Sequence, residues 1–205
     1  MNRVVIIDYG MCNLDSIARA IEECGGRSFV TDDSRELKTA TQIILPGVGS
    51  FTDAMQNLNE RGLVTALQDQ VIGNDIPFLG ICLGMQLMAT SGHEGGVTQG
   101  LGWIDGEVVK LEPKGEDRRI PHIGWNNIEK IRESPLFRDI APERDFYFVH
   151  SYQIKCTNRS QVLARTPYAG GFVSVVGYDH VFGVQFHPEK SQKAGFQVLR
   201  NFLAV

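Results

Sequence analysis

The chain has 205 residues, 42% of them hydrophobic and 21% charged, with a formal net charge of −4. That length suits a single domain, 1–205, with a sizeable core, and the mild acidity gives no general reason to expect nucleic acid or an anionic membrane as a partner. The start has no basic stretch followed by a signal-length apolar run, and no segment approaches membrane-spanning length, so a cytoplasmic protein is expected.

In chain order, "RVVIIDYG" (3–10) predicts a first strand, a short β-branched run ended by glycine. Residues 14–24 read as a helix with Leu14, Ile17, Ala18, Ile21 and Glu22 on its buried face, closed by Gly25 and Gly26. "QIILPGVGSF" (42–51) is a second buried strand running into a glycine-rich turn, followed by an amphipathic stretch at 52–72. "IPFLGI" (76–81) is the third such strand, and a helix begins after Cys82. Strand–helix alternation with uninterrupted apolar strands implies an α/β fold, with a central, mostly parallel sheet flanked by helices. The second half has short strand-like runs separated by turn residues, which suggest an antiparallel or mixed extension of the same sheet. The final "AGFQVLRNFLAV" has helical spacing and should pack back on it.

The four cysteines, Cys12, Cys24, Cys82 and Cys156, fall in neither C-x-x-C nor zinc-ribbon spacing, and the five histidines form no metal-ligand pattern. No disulfide framework, structural metal or other cofactor is implied. Cys82 stands apart. It lies where a strand of a parallel sheet ends, the edge at which ligands collect, between Gly80 and Gly84. G-x-C-x-G there matches the logic of a nucleophile elbow, a sharp strand-to-helix turn that holds a reactive side chain up. The N-terminus of the following helix favours thiolate, and the Leu83 N–H is placed to serve as an oxyanion donor. The elbow alone leaves open a second reading, a structural cysteine packed as a small hydrophobe.

A thiol nucleophile needs a base. His93, His122, His150 and His180 carry little weight individually, but His187 lies in "FGVQFHPEKS" at a strand end. Side chains at i and i+2 of an extended chain point the same way, so Glu189 can stand beside the imidazole and orient it. Cys82, His187 and Glu189 are therefore the candidate triad.

Together, "PGVGSF" (46–51), "GICLGMQ" (80–86), "PHIGWN" (121–126), "YFVHSY" (147–152) and "GVQFHPEKS" (183–191) resemble the signatures of class I (triad-type) glutamine amidotransferases. In order and spacing they are similar to the family of glutaminase subunits of imidazole glycerol phosphate synthase. The resemblance implies that Cys82 attacks the carboxamide of L-glutamine, with His187 as base and then acid, and Glu189 orienting it. It implies an oxyanion hole from the N–H groups of Leu83 and of the "PGVG" turn around Val48 and Gly49, a turn expected to rearrange before the hole is complete. Substrate contacts are expected near Gly49, Gln86, Ser151 and Tyr152. The implied partner is a (β/α)8-barrel synthase subunit, forming a heterodimer and receiving the ammonia in histidine biosynthesis, docked near Asn13, Trp125, Tyr147 and Lys190. As bare residues, Trp125 and Tyr147 read instead as core aromatics.

Two features depart from the family's pattern: Cys12 stands where glycine is usual, and His93 where an acidic residue is common. Both resemble a paralogous subgroup whose ammonia serves the amidination of a bacterial surface-polysaccharide sugar. A partner-binding domain without catalysis, and a cysteine hydrolase acting on another γ-glutamyl or peptide bond, are the remaining alternatives. The complete triad counts against the first of these, and "PHIGWN" with "YFVHSY" against the second.

Overall fold

The computed structural model describes residues 2–114 and 119–205. The elements run β1 (Arg3–Ile7), α1 (Leu14–Glu23), β2 (Arg27–Thr31), β3 (Gln42–Leu45), α2 (Phe51–Glu60), α3 (Leu63–Leu67), β4 (Phe78–Ile81) and α4 (Leu83–Leu87). There follow β5 (Ala89–Gly92), β6 (Thr98–Gln99), β7 (Ile104–Lys110), β8 (His122–Asn127), β9 (Glu129–Lys130), β10 (Asp145–His150) and β11 (Tyr152–Cys156). The chain closes with β12 (Val162–Thr166), β13 (Phe172–Tyr178), β14 (Val181–Val184) and α5 (Gln192–Leu203). An eight-stranded sheet has the order β2-β1-β3-β4-β14-β13-β12-β9. Its first five strands are mutually parallel and the rest antiparallel.

The expected mostly parallel core with an antiparallel extension is thus observed. Part of the second half leaves this sheet, however: β11-β7-β5-β6 and the β8–β10 ribbon are separate sheets. β1 is buried on both faces, Val5 and Ile7 packing with α2 and α3, and Val4 and Ile6 with α1 and α5, as period-two alternation requires. One further strand, β2, was not anticipated. Its sequence RSFVT alternates poorly, because it is an edge strand and much of it remains accessible. The stretch expected to be amphipathic at 52–72 is broken at Gly62, whose φ of 66° starts the new axis of α3. In α1 the apolar face packs as expected, but Glu22 is exposed and accepts a hydrogen bond from Ser28 Oγ at 2.7 Å. Among the described residues no helix is long and apolar enough to cross a membrane.

Candidate active site

Strands β4 and β14 lie side by side and parallel, with Ile81 opposite Val184. The residues after them, Cys82 on one side and Gln185 to His187 on the other, therefore leave the sheet at one carboxyl edge. The Cys82 N–H donates to the Val184 carbonyl at 2.8 Å. Cys82 has φ 54° and ψ −107°, a conformation few side-chain-bearing residues adopt, which lifts its sulfur out of the strand line. The turn is tight because α4 packs directly on β3: a Cβ at Gly84 would collide with the Leu45 carbonyl. α4 has only five residues, so little macrodipole reaches the sulfur. The side-chain donor to the sulfur is the Gln185 amide, with Nε2 at 3.6 Å from Sγ.

His187 and Glu189 meet as expected, but not along a strand. β14 stops at Val184, and Pro188–Lys190 form a 3-10 turn closed by Lys190 N–H to His187 O at 3.0 Å. The turn is fastened to β10 by His187 N–H to Tyr147 O (2.9 Å) and by Ser191 Oγ, which donates to His187 O (2.6 Å) and accepts from Tyr147 N–H (2.9 Å). His187 Nδ1 lies 2.9 Å from Glu189 Oε1, both side chains being only 4% exposed. Burial disfavours the imidazolium, but Cys82 and Glu189 more than offset it and push the His187 pKa up to about 10. With Nδ1 held by Glu189, its Nε2 is the nitrogen left to act on the Cys82 sulfur. The arrangement offers a sulfur, a base acted on by that sulfur, and a carboxylate fixing the base's other nitrogen.

Two of the expected oxyanion donors are engaged in this conformation. The Leu83 N–H donates to the Gly47 carbonyl at 3.3 Å, and the Val48 N–H to the Met11 carbonyl at 2.8 Å. The Gly47 carbonyl and the Val48 N–H belong to one peptide unit. A half-turn of that unit would therefore break both bonds at once. Gly49, at φ 110°, ends the turn.

Gln86 is buried, and its Nε2 donates to Tyr152 O at 3.1 Å and to Gln185 Oε1 at 3.0 Å. The structure thus brings Gln86 and Tyr152 together; Ser151 precedes Tyr152 and its carbonyl accepts from Leu111 N–H at 2.8 Å. His150 Nδ1 is 2.8 Å from the same Tyr152 carbonyl, and its Nε2 is 3.1 Å from His122 Nδ1. Burial, reinforced by His122 and His187, pulls the His150 pKa down to about 3 against that carbonyl bond, so the ring is neutral.

Sequence reasoning missed two side chains here. Gln185 bridges Cys82 and Gln86, a link made only by the pairing of β14 with β4. Glu94 caps α2, accepting from the Phe51 N–H at 2.8 Å immediately after the 46–49 turn; the acidic residue of this loop is present one position beyond His93. His93 Nε2 itself lies 3.2 Å from Glu107 Oε2, both side chains partly exposed. The thiols of Cys12, Cys24 and Cys156 are half-buried and unpaired, with pKa values raised by burial, to about 11 for Cys12 and Cys156.

A hollow of about 20 Å³, the size of a water molecule, joins His187 and Glu189 to Asn13, Val48 and Lys190. The four residues expected at a partner surface are not packed inside. Trp125 is 47% exposed, meeting Tyr147 edge-on at 5.8 Å between centroids, and Asn13 and Lys190 are exposed. The reading of Trp125 as a core aromatic is therefore corrected: alternation on β8 turns His122 inward and Ile123 and Trp125 outward.

The family described as "Glutamine amidotransferase class-I" matches residues 5–205. The chain belongs to this family and is a glutamine amidotransferase. Its near-full-length relatives are narrower in kind. It is 47% identical over 98% of both chains to the imidazole glycerol phosphate synthase subunit HisH 1 of Campylobacter jejuni (strain RM1221). It is 46% identical to subunit HisH of Moorella thermoacetica, over 98% of this chain and 94% of that one. Among solved structures, PurLQS from Thermotoga maritima superposes with a TM-score of 0.78 at 18% identity, covering 100% of this chain and 99% of that one, a likeness of fold.

Proposed function

We propose that the chain hydrolyses L-glutamine at Cys82 and delivers the ammonia to a (β/α)8-barrel synthase subunit. With it the chain would make imidazole glycerol phosphate and aminoimidazole carboxamide ribotide in histidine biosynthesis. The observation that carries the chemistry is the buried His187–Glu189 pair at the same sheet edge as the left-handed Cys82. In this reading the sulfur, its proton already held by His187, attacks the carboxamide carbon, and His187 gives that proton to the departing ammonia. A γ-glutamyl thioester remains. Water, deprotonated by His187, releases glutamate. The oxyanion would rest on the N–H groups of Leu83 and Val48 after the Gly47–Val48 unit turns, with Gly49 beside them, and glutamine would lie against Gln86, Ser151 and Tyr152.

The acceptor reading rests on the relatives' names and on the surface around the site. Val48 lies with Asn13 and Lys190 at the hollow, Trp125 meets Tyr147, and Ile123, Trp125 and Val48 are exposed apolar side chains such as a docked partner would cover. A partner there would receive ammonia before it is protonated in solvent. Cys12 and His93, the two departures from the usual pattern, make a contact with the Ile7 and Pro46 carbonyls and a surface contact with Glu107 respectively, and no observation favours a surface sugar as acceptor.

The test is ammonia release from glutamine by the chain alone and with the barrel subunit, together with growth without histidine of a strain lacking its own glutaminase subunit. Stimulation by the barrel and restored growth are expected. Full activity in Cys82→Ala would refute the mechanism, and failure to restore growth would refute the acceptor.

A further inference from the structure

Tyr9 lies two residues beyond β1, at the same carboxyl edge as Cys82, and is fully buried. Its hydroxyl reaches no oxygen or nitrogen acceptor, only the weakly accepting Cys12 sulfur. Its polar neighbours are the thiols of Cys12 and Cys82. The Cys12 thiol is directed at the carbonyls of Ile7 and Pro46. The Tyr9 hydroxyl instead occupies the space where a side chain at residue 47 would begin: a Cβ built on Gly47 would collide with it. Glycine is thus required at 47 by this hydroxyl, since its φ is not left-handed. A buried donor with no acceptor stronger than a thiol sulfur is poorly satisfied, and such groups call for an explanation. This one faces the peptide unit whose carbonyl must give up the Leu83 N–H if Val48 is to supply an oxyanion donor. In the resting state that carbonyl has a partner; in the rotated state it needs another.

We propose that Tyr9 is a positioning residue for the oxyanion hole, its hydroxyl donating to a carbonyl of the 46–49 turn once the Gly47–Val48 unit has rotated. The resting state leaves the Tyr9 hydroxyl poorly satisfied and satisfies the turn. The rotated state would give the hydroxyl an acceptor and free two N–H groups for the oxyanion, at the expense of the Val48 N–H bond to the Met11 carbonyl. Tyr9 does not touch the substrate in this scheme, and its effect appears only in the population of the competent turn. The inference rests on the glutaminase reading above and deepens it.

The experiment compares the parent chain with Tyr9→Phe, each saturated with the barrel subunit, in glutamine hydrolysis, in alkylation of Cys82 by iodoacetamide, and in thermal melting. An inactive parent would refute the glutaminase reading itself. With an active parent, Tyr9→Phe should melt no lower, because a poorly satisfied hydroxyl has been removed. Its kcat should fall about 10-fold or more, with KM for glutamine within about 2-fold, since an interaction made only on the way to the transition state is lost. Alkylation needs no oxyanion hole and should be unchanged. A kcat within about 2-fold of the parent overturns the proposal, as does a parallel fall in alkylation, which would place the hydroxyl's effect on the thiol. Tyr9→Leu, a second variant without the hydroxyl, must show the same loss of kcat whenever it is folded; parental kcat there overturns the proposal equally.

Discussion

Replacing Gln185 by methionine separates positioning from packing at Cys82, the proposed nucleophile. The residue is fully buried and holds two bonds, Nε2 to Cys82 Sγ at 3.6 Å and Oε1 from Gln86 Nε2 at 3.0 Å. Methionine has a similar length and volume but no N–H, so little cavity or strain is created. Gln86 Nε2 keeps Tyr152 O at 3.1 Å and is not orphaned, and sulfur is a weak acceptor. The net stability cost is therefore one ordinary hydrogen bond and part of a weak one, about 1–1.5 kcal/mol. In a chain of this size that lowers the melting temperature by about 2–6 °C. The kinetic effect is larger in kind, because the donor touches the sulfur as it develops negative charge. A long charge-assisted bond at the low end of its range, about 1.5 kcal/mol, corresponds to roughly a 10-fold loss. Both kcat/KM for glutamine and the rate of Cys82 alkylation near pH 7 should fall by about that factor. If the melting temperature falls as stated but alkylation stays within about 2-fold, Gln185 is a packing residue and the reasoning fails.

Three further outcomes are expected. Glu189→Gln should lower kcat by about two orders of magnitude or more, since the imidazolium loses its buried counter-charge while its geometry survives; steady-state hydrolysis reads this directly. The His150 pKa is depressed from 6.5 to about 3, so stability is fully present above the unfolded value and lost as pH falls. Near pH 5 the unfolded ring binds a proton that the folded ring refuses, at a cost of about 2 kcal/mol. His150→Gln should therefore lose less melting temperature between about pH 7 and pH 5 than the parent; equal losses would count against it. Trp125→Ala, at an outward-facing half-exposed ring, should leave melting nearly unchanged. The barrel concentration giving half-maximal stimulation should rise by about 10-fold or more, measured by titration.

What could be read from the residues alone was local in character. The apolar runs of β1, β3 and β4 announce buried parallel strands because burial on both faces demands unbroken hydrophobicity. Cys82, His187 and Glu189 stand out because a glycine-flanked elbow and an H-P-E turn are short-range patterns. Trp125 was misread as a core aromatic because its outward orientation follows from the β8–β10 ribbon lying off the main sheet. β2 was overlooked because an edge strand buries too little to leave a pattern. Everything that turns the three motif residues into a working arrangement is long-range. The insertion of β14 beside β4 places Gln185 and His187 next to Cys82 across about a hundred residues of chain. The Met11 and Gly47 carbonyls that occupy the N–H groups proposed for the oxyanion, the Glu94 cap on α2, and the Tyr9 hydroxyl against Gly47 were equally invisible. Each depends on where the carboxyl ends of separate strands come to lie, and that is decided by sheet order and register rather than by any neighbour in the sequence.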